Sequence, residues 1–265
     1  MFIKAIGLAA PGLPDWPTAI AVLNNNMPYQ INPLDRYKPT LLPANERRRA
    51  TNTVRLAFRV CEEACREYMD EVSTFASVFA SSGGDYDVID AICRVLGESD
   101  RSVSPTQFHN SVHNAAAGYW SIATRSMQGS TSLSAFNCSF AGGLLEAGTL
   151  ISQQKKSILL AAYDTTPPQP IAQKHHIQHP FAVALLLSPN ADSKAIAKLS
   201  LRMCQDQAES LCENTALEPL RVNNPAARSL PLLELLAQEK NGTVSVKYPG
   251  NRAIEITLSH TSRCD

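Results

Sequence analysis

A strand that runs straight into a helix of small and apolar residues constrains this chain more than any other feature. It lies at Ser132–Glu146, Ser-Leu-Ser-Ala-Phe-Asn-Cys-Ser-Phe-Ala-Gly-Gly-Leu-Leu-Glu. The pattern predicts a short buried strand, a sharp turn at Asn137–Cys138, and a helix to about Ile151, with a second apolar strand at Ser157–Ala162. Such a turn sets a side chain at the positive end of the helix dipole, beside backbone N–H groups that the helix leaves unpaired. Cys138 sits there. A thiol so placed can have its pKa lowered into roughly the 3.5–7.5 range, which makes it nucleophilic. The same turn can also keep the shape of a reactive site without its chemistry.

Around this unit, strands alternate with helices, which predicts a layered α/β fold. Phe2–Leu8 reads as a strand, and Leu13–Pro43, rich in Pro and Asn, as an irregular surface loop. Glu46–Met69 reads as one long amphipathic helix led by Arg47, Arg48 and Arg49. Phe75–Ala80 is a second strand, Asp87–Leu96 a helix closed by Gly97, and His109–Arg125 contains a helix. After the turn unit come the loop Asp164–Pro180 and the strand Phe181–Leu187, completing the order βαβαβαββ. The tail has a strand at Ala195–Met203 and a polar stretch at Glu209–Arg228. A helix capped by Ser229 runs to Lys240, and a hairpin joins Thr243–Tyr248 to Arg252–Leu258 around Pro249–Asn251.

Composition narrows the function classes. The 265 residues suit one large domain, or one with a small appendage, and 44% hydrophobic residues can fill a sizeable core. Formal net charge is zero, so no long-range field draws the chain to nucleic acid or an anionic membrane. The seven Cys include no Cys-X-X-Cys pair, which fits a reducing compartment. Cys61 and Cys65 fall in the helical stripe Val54, Phe58, Cys61, Cys65, Tyr68, the place of core thiols. Pro11 and Pro14 break the first apolar run, against a signal peptide, and no stretch approaches the ~20 apolar residues of a membrane span. The expected location is the cytoplasm.

The elbow does not stand alone. Phe2–Gly12, Phe75–Gly84, Ser104–Ala123 and Phe181–Ser188, together with the turn unit, are similar to the N-terminal half of β-ketoacyl synthases in the thiolase-like superfamily. The segments His109–Asn114, Gly118–Thr124, Ser139–Ala147 and Tyr163–Asp164 resemble the chain-length-factor type found in aryl polyene and related type II polyketide pathways. The resemblance implies a thiolase-like half over residues 1–190 and a C-terminal extension, 191–265, packing on the same sheet. Whether that extension is a remnant of the second half or an unrelated addition stays open.

In the family the nucleophile opens the central helix and two catalytic His lie in the second half. Aligned on Glu146-Ala147, the nucleophile position falls on Asn137; aligned on Gly129, it falls on Cys138. Beyond Asn190 the sole His is His260, in no matching context. The resemblance therefore implies an incomplete catalytic set and no intrinsic activity, in a subunit that joins a full-length synthase in fatty-acid-like biosynthesis. Phe136, Asn137, Cys138, Phe140, Tyr119 and Trp120 are then the candidates for shaping an acyl cavity. Phe108, His109, Val112, His113, Asn114, Ser132 and Ser134 are the candidates for the partner interface. Arg47, Arg48 and Arg49 would attract an acidic acyl carrier protein, or simply form a solvated face.

A reading from a different class makes Cys138 the nucleophile of a small acyltransferase or thioesterase, with His109 or His113 as base. His109 and His113, four apart, have no third metal ligand at a suitable spacing, so no metal is expected. His175, His176 and His179 read as exposed loop residues, and Asp164 as a turn former at a strand end. Gly83-Gly84 lacks the spacing of a dinucleotide site, and no cofactor is expected.

Overall fold

The computed structural model describes residues 1–261. Its strands are β1 (Phe2–Ala9), β2 (Ala76–Ala80), β3 (Ser130–Leu133), β4 (Ile158–Asp164), β5 (Phe181–Ser188), β6 (Ala197–Gln205), β7 (Gly242–Tyr248) and β8 (Arg252–His260). They form one mixed sheet in the order β3-β2-β4-β5-β1-β6-β8-β7. β2 runs parallel to β3 and β4, whereas β5 is antiparallel to both β4 and β1. The helices are α1 (Trp16–Leu23), α2 (Ala44–Arg49), α3 (Asn52–Ala64), α4 (Tyr86–Gly97) and α5 (Pro105–Asn110), then α6 (Ala115–Thr124), α7 (Ser139–Gln154), α8 (Glu218–Asn223) and α9 (Leu230–Ala237).

β4 and β5 are buried at every position, as strands covered on both faces must be, which explains their unbroken apolar sequence. Period-two alternation then deals their side chains to two cores. Leu159, Ala161, Ala182 and Leu186 pack with α3 and α6 on one face. Leu160, Ala162, Val183 and Leu185 pack with α1, α7 and α9 on the other. α7 touches β2 and β4 and also β7, at the opposite end of the strand order, so the sheet curls around this helix. Gly143 permits the close approach: a Cβ there would lie 2.8 Å from that of Ala80.

The tail continues the sheet. β6 joins β1 at Phe2–Ile3 and pairs along its whole length with β8. The outer edge of β7 is closed by Ser210, whose N–H donates to the Ser245 carbonyl and whose Oγ accepts from the Ser245 N–H, both at 2.9 Å. β3, at the other end of the order, has no strand on its outer side among the described residues.

Several sequence expectations change. The strand before the elbow is not buried: Ser130 is exposed and the rest of β3 half-buried, because it is an edge strand. The loop expected over Leu13–Pro43 contains α1, started by Asp15, whose carboxylate accepts from the Thr18 N–H, with Pro17 in the first turn. The single helix expected over Glu46–Met69 is broken. Ala50 is extended, Thr51 Oγ1 caps a new helix by accepting from the Val54 N–H, and a 3-10 turn follows at Arg66–Tyr68. Ser229 caps nothing; its Oγ donates to the Ala226 carbonyl, and the helix it was to start ends at Ala237 rather than Lys240.

Candidate functional site

β3 ends at Leu133, and within a few residues the chain reverses into α7. Phe136 takes φ +55°, the left-handed region that a bulky side chain enters only when its surroundings force it. The Ser139 hydroxyl does the forcing: it accepts from the Ala135 N–H at 3.1 Å and donates to the Phe136 carbonyl at 2.7 Å. Ser134 Oγ donates to the Ser82 carbonyl at 2.7 Å, anchoring the elbow to the end of β2. The left-handed apex is thus Phe136, one residue before the two positions that the sequence singles out. Its ring is 54% exposed, and Asn137 beside it is exposed too.

Cys138 is turned inward and buried. Burial pushes its thiol pKa up, and the charges that act on it are Lys247, Glu209 and Arg228, all from the C-terminal segment. Neither His109 nor His113 bonds to it. His109 meets the Tyr119 ring edge-on at 5.7 Å, while the His113 Nε2 lies 3.1 Å from the Ser81 carbonyl. α5 ends at Asn110, so the two His share no helical face. No metal-binding group of three or more His, Cys, Asp or Glu occurs among the described residues.

The aromatic candidates divide by burial. Phe140 is fully buried in the core shared by α7 and the sheet, and Tyr119 and Trp120 are buried on the opposite face, Trp120 edge-on to Phe58 at 5.3 Å. Phe108 and Val112 are instead exposed, 69% and 50%, as are His109, Asn114 and Ser134. His113 and Ser132 are half-buried. The linker around His113 and the end of β3 meet at the paired carbonyls of Ser81 and Ser82, which places these residues on one side of the molecule.

Behind the elbow lies a network with little sequence signal. The wholly buried Asp164 accepts from the Ser82 N–H and Oγ, each at 2.7 Å, and from Ser81 Oγ at 3.1 Å. It therefore ties the end of β4 to the end of β2 and is more than a turn former. Burial outweighs these donors and pushes its pKa up to about 7; its second oxygen has no hydrogen-bond partner among the described residues. Ser82 Oγ lies 3.2 Å from the Tyr86 hydroxyl, which is 3.3 Å from His175 Nδ1. The His175 ring packs 5.2 Å from that of Phe136. His175 is thus half-buried against the elbow, whereas His176 is exposed. A cleft of about 250 Å³ opens here, lined by Phe136, Asn137, His175, His176 and Val222 among others. The sequence signal for this network was the small-residue run Ser81–Gly84 after β2, whose partners lie far along the chain.

The chain belongs to the family described as β-ketoacyl synthase, N-terminal domain, whose model matches residues 22–248. No curated protein matches its sequence. Among solved structures it is similar to the ketosynthase (ApeO) in complex with its chain length factor (ApeC) from Xenorhabdus doucetiae, with 24% identity, a TM-score of 0.72, and 97% of this chain and 99% of that chain covered. It is also similar to the ishigamide ketosynthase/chain length factor, with 11% identity, a TM-score of 0.75, and 98% and 99% covered. A β-ketoacyl synthase from Burkholderia phymatum gives 12% identity and a TM-score of 0.73 over 98% and 99% of the two chains. The layered α/β fold expected from the sequence is the one these structures share. No helix among the described residues is long and apolar enough to cross a membrane.

Proposed function

We propose that this chain is a non-catalytic, chain-length-factor-like subunit that pairs with a full-length β-ketoacyl synthase and shapes that partner's acyl cavity. The observation that carries the reading is the elbow. An exposed Phe136 holds the left-handed apex, and the adjacent thiol is buried, raised in pKa and without a His partner. A buried neutral thiol is a poor nucleophile. What the same side offers instead is contact: an open strand edge on β3 and the exposed apolar side chains of Phe108, Val112 and Phe136. Unpaired strand edges and exposed apolar groups favour association. The structures of a ketosynthase with its chain length factor are similar over nearly the whole chain, which supports a role of that kind.

The finer reading is a cytoplasmic heterodimer in an aryl-polyene or fatty-acid-like type II pathway. In it, residues 1–190 form the thiolase-like unit and 191–265 its extension. His109, His113, Asn114, Ser132 and Ser134 flank the apolar contacts of Phe108 and Val112 at the interface, and the bulk that limits chain growth comes from Phe136, the cavity candidate that stands exposed. Arg47, Arg48 and Arg49 attract an acyl carrier protein. Co-expression with a full-length synthase tests this: a stable one-to-one complex by light scattering is expected, with product length that changes when Phe136 is replaced by Ala. A soluble monomer that binds no synthase would overturn it.

A further inference from the structure

A second cleft, of about 370 Å³, lies between the loop Leu34–Tyr37, α3 and the loop after β4. Arg36, Arg55 and Arg59 line it. Arg55 is 8% exposed, and its Nε and both terminal nitrogens donate to the carbonyls of Ala50, Tyr37 and Arg47. Those bonds fix the guanidinium in place but supply carbonyl dipoles rather than a formal counter-charge, and they leave two of its five N–H groups unassigned. Arg59 donates to the carbonyls of Pro14 and Asp35, and its guanidinium stands 5.7 Å over the Tyr37 ring. Arg36 makes no hydrogen bond among the described residues. None of the three forms an ion pair among them. Asp35 and Asp87 line the same cleft, yet neither carboxylate comes within ion-pairing distance of these guanidiniums.

A buried cation without a counter-charge is expensive, and like charges nearby raise the cost. The Arg55 pKa is accordingly lowered, first by burial and then by Arg36 and Arg47. Three arginines lining one cleft suit the oxygens of a phosphoryl group, which arginine binds through paired N–H bonds. Thr165, Thr166 and Asn52 add neutral polar groups to the wall, and Leu34, Leu56 and Pro180 give it an apolar side that bare phosphate would leave empty. We propose that this cleft binds a phosphate monoester carried on a small organic body, its phosphoryl group held by Arg36, Arg55 and Arg59. The site is independent of the elbow and of the partner reading above.

Calorimetric titration of the full-length chain with phenyl phosphate, inorganic phosphate and benzoate tests it. Saturable phenyl phosphate binding is expected, with inorganic phosphate weaker and benzoate weakest. Arg36→Gln, which removes no internal hydrogen bond, should weaken phenyl phosphate by about tenfold or more, the worth of one charge-assisted bond. Arg59→Gln should do the same, with the fold checked by circular dichroism because its carbonyl contacts are lost. Asp87→Asn, which removes a negative wall charge, should tighten binding. Equal affinity for inorganic phosphate and the ester would overturn the organic body. Absence of saturable binding, or equal binding by wild type and the Arg36→Gln and Arg59→Gln variants, would overturn the site.

Discussion

Replacing Asp164 by Asn should change how stability depends on pH, and the magnitude follows from where the carboxyl sits. Asp164 is wholly buried at the end of β4, and burial raises its pKa from 3.8 to about 7 despite three hydrogen bonds to one oxygen. The folded protein thus holds this proton more tightly than the unfolded chain. The stability this contributes is fully present below the unfolded pKa near 4 and is lost as pH rises to about 7. At ~1.4 kcal/mol per unit, a shift of about three units amounts to about 4 kcal/mol. Asn is a neutral isostere that can still accept from Ser81 and Ser82 through its carbonyl oxygen. Urea unfolding of wild type and Asp164→Asn at half-unit steps from pH 4.5 to 8 isolates the effect, because other titrating groups cancel in the difference. The variant should gain on the wild type by roughly 1 kcal/mol per pH unit up to pH 7 and then hold constant. Parallel profiles across that range would show that Asp164 ionises as freely in the fold as in the unfolded chain, and the reasoning would fail.

Cys138→Ala should leave the function of the complex essentially intact, and intact-mass analysis after incubation with an acyl-carrier thioester should show no acyl adduct on this chain. Phe140→Ala should cost about 3–5 kcal/mol of stability, since the ring is fully buried. Product length from the co-expressed pair should stay unchanged in that variant, and a shift to longer chains would place the ring at the cavity after all. Phe108→Asp should abolish association with the synthase while leaving the melting temperature of the chain within a few degrees of wild type, because the side chain is exposed.

Much of the fold was legible because it is local. The unbroken apolar runs of β4 and β5, the hairpin of β7 and β8, and the small-residue helix α7 each follow from neighbours in sequence. Helix breaks were less legible. A Thr in position to cap can start a new helix inside an apolar stripe, as Thr51 does, and only the packing of both halves decides that it will. The elbow itself could be located within a few residues, but not which residue occupies its apex. A shift of two positions there exchanges Phe136, exposed in the left-handed region, for Cys138, buried and pKa-raised.

From its sequence alone, the chain was determined to be a layered α/β protein with an elbow at the head of a buried helix and the family motifs that accompany it. What only the tertiary structure decided is what that elbow can do. The bond between Asp164 and Ser82 joins residues 82 apart, and the charges around Cys138 come from the C-terminal segment. Burial and pKa are sums over such distant neighbours, so no reading of local pattern contains them.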